Sequence, residues 1–244
     1  MKSLVRIALV SLVVASLPGI RAESLPDFRP ALMGNFRRAL VNLIDTKALV
    51  KQGQKDAVVF FTCRVEANGL GGVIDVYRCT ANSELLQQQL LERNPVAMYE
   101  PGVFQHHQVV VKVTGTAVFV VREGQPHLRI FLNPEEEDLK RARDFIAPQF
   151  AFAPGNTFAS HLRPPTYDWT RGGVALLNLD IDLAGKVQGV NVAYEYPPGL
   201  GLGAAAAEPI RYALFIPGFR DGKAVACRFT YPVLFQTGRK TKVE

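Results

Sequence analysis

The stretch "ALFIPGFRDGKAV" (Ala213–Val225) has a counterpart in "AMYEPGVFQHHQV" (Ala97–Val109), and the spacing between the two decides how the chain folds. Pro101-Gly102 and Pro217-Gly218 stand 116 positions apart. The same offset carries Gly69 of "VEANGLG" onto Gly185 of "IDLAGKV", each between two strand-like runs. Ahead of those glycines, Phe61, Cys63 and Val65 map to Leu177, Leu179 and Ile181; behind them, Ile74 and Val76 map to Val190 and Val192. Past the Pro-Gly, Val109, Val111 and Val113 map to Val225, Cys227 and Phe229. Apolar parity alone recurs by chance. Two glycine turns and a Pro-Gly in one ungapped register point to a duplication.

Each copy reads as strand, glycine turn, strand, helix, strand. Leu177, Leu179 and Ile181 alternate with Asn178, Asp180 and Asp182, the pattern of a half-buried strand. In "NSELLQQQLLERN" Ser83 is placed to cap a helix whose leucines form one stripe. The second copy has "GLGLGAAAAEPIRYA" there, with alanines favouring helix and glycines and Pro209 opposing it. Pro217 is expected to stop that helix and Gly218 to permit a turn into the last strand. The expected fold class is α+β: two tandem β-β-α-β units, each a mainly antiparallel three-stranded sheet with a helix on one face. A unit of that size is marginal alone, so the copies are expected to support each other, either as a pseudo-dimer that buries both sheet edges or with an edge left free.

The expected boundaries are a signal peptide at 1–22, a first unit at 23–133 that includes the helix candidate "NFRRALVNLIDTKALV", a helical linker at 134–162, a second unit at 163–236 and a basic tail at 237–244. "NPEEEDLKRARDFI" carries a helix start, with Asn133 as cap, Pro134 in the first turn and acids before bases. "APQFAFAPGNTF" reads as irregular connection, and a strand is expected over His127–Leu132.

The first residues have the layout of a secretory signal: Lys2 and Arg6, an apolar run from Ile7 to Ser16, a Pro-Gly break and a small residue, Ala22, at the cleavage point. The run falls short of the ~20 residues of a spanning helix. An uncleaved anchor is the alternative. Losing Lys2, Arg6 and Arg21 lowers the formal charge from +6 by three, so the basic balance does not indicate nucleic-acid binding. Of the three cysteines, Cys63 and Cys79 flank the first hairpin with opposite parity, which argues against a bridge.

The second copy, "PPTYDWTRGGVALLNLDIDLAGKVQGVNV" followed by the Ala-rich segment and "YALFIPGFRDGKAVACRFTYPVLF", resembles the C-terminal domain of TonB-type periplasmic proteins. The resemblance covers roughly residues 163–236, and residues 47–121 through the duplication. It implies a periplasmic, non-catalytic protein that binds an envelope protein or peptide, outer-membrane-associated ones included, by strand addition to a sheet edge. With an uncleaved anchor it implies a TonB-type transport component. The candidate edge is Ala224, Val225, Ala226, Cys227, Arg228 and Phe229, with Pro232 removing a donor further on. A self-contained structural or accessory envelope protein is the other reading.

No constellation points to catalysis, a cofactor, a metal, nucleic acid or a small-molecule substrate. His106-His107 fall on a turn without further ligands near. Asp180 and Asp182 lie on a solvated strand face, and "GLGLGAAAA" lacks the Lys-Ser/Thr of a phosphate loop.

Overall fold

The computed structural model describes residues 24–132, 145–163 and 172–235. It is an α+β fold built on mostly antiparallel sheets. In chain order the elements are β1 (Phe28–Arg29), α1 (Leu40–Leu43), α2 (Thr46–Lys51), β2 (Ala57–Val65), β3 (Gly71–Cys79) and α3 (Glu84–Arg93). Next come β4 (Val103–Phe104), β5 (His107–Gln108), β6 (Val110–Arg122), β7 (Gln125–Phe131), β8 (Gln149–Phe152) and α4 (Phe158–His161). The chain continues with β9 (Gly173–Ile181), β10 (Val187–Tyr196), α5 (Leu202–Ala207), β11 (Phe215–Ile216), β12 (Gly218–Arg220), β13 (Lys223–Val225) and β14 (Cys227–Phe235).

Two three-stranded cores share one register. In the first, β2 pairs with β3 (Val65↔Gly71, Cys63↔Ile74, Phe61↔Val76) and with β6 (Cys63↔Val113). In the second, β9 pairs with β10 (Ile181↔Val187, Leu179↔Val190, Leu177↔Val192) and with β14 (Leu179↔Phe229). Every one of these pairs in the second sheet lies 116 positions beyond its counterpart in the first. The glycine turns match as well. Gly69 and Gly185 have φ of +82° and +75°, where a Cβ would run into the carbonyl oxygen of Tyr99 or Phe215 respectively. Those two residues return their N–H to the same glycines' carbonyls, at 2.8 and 2.9 Å. Only glycine fits such a turn.

The helix-side faces hold the cores. Phe61, Cys63, Val65, Val111, Val113 and Phe119 pack with Leu86 and Leu90 of α3. Leu177, Leu179, Ile181, Phe229 and Tyr231 pack with Leu202 and Ala206 of α5. Each such aliphatic or aromatic burial stabilises by ~1.5–3 kcal/mol.

Several expectations are corrected. The first sheet has six strands, in the order β11-β8-β6-β2-β3 with β7 also on β6. The segment read as irregular connection contains β8, whose alternating Phe150 and Ala151 face the second and the first core respectively. β8 pairs with β6 on one side and with β11 on the other, so the shared wall belongs to both halves. The helix start at 133–134 lies outside the described residues, and 145–163 holds a strand and one short helix instead of a continuous helical linker. The N-terminal helix candidate is divided into α1 and α2, with the Asp45 side chain capping the Ala48 N–H at the start of α2. Pro217 does not stop the helix. α5 ends at Ala207, a 3-10 turn runs to Tyr212, and Pro217 lies between β11 and β12. Gly102 and Gly218 serve close approach: a Cβ would lie 2.8 Å from Val111 Cγ1 in one and 2.7 Å from Cys227 Sγ in the other. Ser83 stands at the helix N-cap, but its hydroxyl donates to the Thr80 carbonyl.

Candidate strand-acceptor edge

β14 lies at one margin of the second sheet, whose order is β10-β9-β14. Its register with β9 runs unbroken from Cys227↔Ile181 to Phe235↔Gly173, passing through Pro232↔Leu176. A proline keeps such a register only where its nitrogen points away from the neighbour. By the period of two, Arg228, Thr230 and Leu234 then turn their N–H groups outward as well. Among the described residues no strand pairs with that outer side.

The same side of β6 is filled. β8 lies against Val110–Lys112 (Lys112↔Phe150), and β7 lies against Thr116–Arg122 (Thr116↔Phe131). Positions 116 and 232 correspond, so the first half carries a paired threonine where the second carries a proline.

The six residues expected to form the edge are divided by the structure. Ala224 and Val225 belong to β13, which forms a hairpin with β12 (Val225↔Gly218). Ala226 is an exposed break. Cys227, Arg228 and Phe229 open β14 proper. Phe229 is buried in the second core, leaving Arg228 as the exposed member of the trio. Its guanidinium grips Asp180 through two hydrogen bonds of 2.7 and 2.8 Å. That contact holds the Asp180 carboxyl below its ordinary value.

The other polar candidates have structural partners. Asp182 accepts from the Ala184 and Lys186 N–H groups and closes the glycine turn. His106 reaches the Leu25 carbonyl at 2.7 Å and Asp27 at 2.8 Å, fastening the segment before β1. The N–H groups of Leu200, Gly201 and Gly203, which a phosphate would need, donate to the Glu195 carboxylate at 3.0, 3.2 and 2.8 Å. Those donors, Gly203 first, draw the Glu195 carboxyl down. Among the described residues no cluster of three or more His, Cys, Asp or Glu is placed to hold a metal.

None of the three cysteines forms a disulfide. Cys63 faces Ile74 and Cys79 faces Val59 across the first hairpin. Burial pushes the Cys63 thiol up to about 11, the opposite of a reactive thiolate. It lies in a buried polar knot where Tyr99 donates its hydroxyl to Asn94 Oδ1 at 2.6 Å.

Sequence reasoning missed Gln149. This residue is 1% exposed and clasps Ala31 from both sides, accepting its N–H at 2.7 Å and donating to its carbonyl at 2.8 Å. The signal was the alternation in "QFAF", which reads as a strand once the Pro-rich flanks are set aside. The expected cleavage point at Ala22, residues 134–144 of the expected linker and the tail lie outside the described residues. Among the described residues no helix is long and apolar enough to cross a membrane.

No family model, curated protein or solved structure matches the chain.

Proposed function

We propose that this chain is an exported, non-catalytic envelope protein made of two tandem TonB C-terminal-like units, and that it binds a protein or peptide by adding a partner's extended segment to the outer side of β14. The carrying observation is the contrast in occupancy: β6 holds β8 and β7 on the side that β14 leaves unpaired among the described residues. An antiparallel strand on β14 would repeat an arrangement the molecule already makes once, with main-chain bonds supplying affinity.

A second copy of the chain is a poor donor. Leu32 bridges Glu100 as Gln149 pairs with Ile216, so the chain at Leu32 stands to Glu100 as β8 stands to β11. Gly34, at φ +62°, turns the chain away there, and the Phe36 ring lies against it. The proposed donor is therefore a different protein. The alternative reading, a self-contained structural protein, draws on the wall of β8 and β11 common to both halves.

The discriminating experiment is capture from an envelope extract by the purified protein and by Thr230→Pro, which removes an outward N–H without touching the β9 ladder. Loss of the captured partner by a variant that melts like wild type is expected. Undiminished capture by folded Thr230→Pro contradicts strand addition and leaves the structural reading.

A further inference from the structure

We propose that Asn68 is a modification site: its side-chain amide converts to aspartate and isoaspartate at a rate set by opening of the first glycine turn. Asn68-Gly69 is the one Asn-Gly pair in the sequence. Glycine lacks the Cβ that shields the backbone nitrogen of any other residue at that place. That nitrogen attacks the asparagine Cγ, a new N–Cγ bond forms, and the side-chain nitrogen departs as ammonia. The proton lost from the backbone N–H, relayed by water, leaves on that ammonia. Water then opens the cyclic imide at either carbonyl. The products are aspartate, or isoaspartate with an extra methylene in the main chain.

The folded turn holds both reacting groups apart. The Asn68 side chain is exposed to water, but its Oδ1 accepts the Leu70 N–H at 3.0 Å. The Gly69 N–H donates to the Glu66 carbonyl at 2.8 Å, in a turn that the Glu66 N–H closes on the Leu70 carbonyl at 2.9 Å. Attack requires both Asn68 and Gly69 to give up these bonds. Gly69 is also anchored: it is buried, its carbonyl accepts the Tyr99 N–H, and a Cβ on it would meet the Tyr99 carbonyl oxygen. Tyr99 is fixed in turn by its hydroxyl on Asn94, in the knot with Cys63. Release of the turn from Tyr99 is therefore the gating step.

The matching turn lacks the reacting pair. Ala184 stands before Gly185, and the acceptor role passes to Asp182, whose Oδ1 takes the Ala184 and Lys186 N–H groups. Ala184 has no side-chain carbonyl for the Gly185 nitrogen to attack. Once isoaspartate forms at residue 68, the lengthened main chain no longer seats Gly69 against Tyr99. The change falls on the first hairpin and spares its counterpart.

The test holds the full chain in mildly alkaline buffer, folded and in urea, and samples it over weeks by peptide mass mapping and isoaspartyl methyltransferase labelling. The folded chain should convert slowly at Asn68, and the chain in urea about tenfold or more faster. Tyr99→Phe, shown to be folded by its melt, should convert several-fold faster than wild type, because its anchor is loosened. Asn68→Gln, whose longer side chain closes the ring poorly, should take no label at that position. Three results overturn the proposal: no conversion at Asn68 in the folded chain, a folded rate equal to or above that in urea, or a folded Tyr99→Phe that converts no faster than wild type.

Discussion

The two halves share one strand register and differ in what covers it. In the first, the last strand β6 is covered along its outer side by β7 and β8, and the outer face is closed by Arg78 on Phe60. In the second, β14 is bare on that side among the described residues, and the outer face carries Tyr194 and Tyr196 in the open. Matching ladder positions differ in residue: Thr116 against Pro232, Arg78 against Tyr194, Lys112 against Arg228. Burial lowers the Lys112 ammonium while Asp75 opposes that, whereas Arg228 reaches out to Asp180. Among the described residues, the last strand of the first sheet is covered on both sides and that of the second on one.

Truncating the matching aromatics should break the comparison most severely. Phe215 is fully buried and meets Phe150, Phe229 and Tyr231 edge-on. Phe215→Ala should cost ~3–5 kcal/mol in denaturant unfolding. At the matching position, Tyr99→Phe keeps the ring but removes the hydroxyl from the buried Asn94 Oδ1, and should cost only ~1–3 kcal/mol. No loss of stability in Tyr99→Phe would mean that the hydroxyl's bond to Asn94 does not support the first core.

Glycine substitution comes next. Gly185→Ala and Gly69→Ala each force a side chain into a left-handed turn and against a carbonyl oxygen, closer at Gly185 than at Gly69. Each should lower stability by ~1–3 kcal/mol, with Gly185→Ala the worse of the pair. Thermal melts of the two single variants check the order.

The smallest effect concerns Glu195, which has Cys79 at its place in the first half. Its carboxyl is held below the ordinary value by the N–H groups at the start of α5. That stabilisation is complete above the ordinary glutamate value of about 4.3 and is lost as pH falls through the lower folded value. Protection of the Gly203 amide should therefore decline in acid, while amides of α3, which lacks such a carboxylate cap, should not follow the same curve.

Much of this was legible in the residues, because apolar alternation and glycine turns are local and repeat at a fixed offset. The ladders β2–β3 and β9–β10 followed from Phe61, Cys63, Leu177 and Leu179 alone. The shared wall did not. Phe150 and Ala151 serve two cores at once, and no periodicity within "QFAF" says which strand lies on either side. The open face also escaped reading, because a bulge reverses the parity that places Tyr194 and Tyr196. For the edge, Pro232 was the visible signal, but the division at Ala226 between hairpin and sheet is set by β12, which lies earlier in the chain.

Amide hydrogen exchange on the full chain tests the central contrast most directly. Arg228 and Thr230 should exchange at rates near those of unprotected amides, while Lys112 and Thr116, at paired positions on β6, should be slower by orders of magnitude. Equal protection of Arg228 and Thr230 with Lys112 and Thr116 would contradict an open acceptor edge on β14.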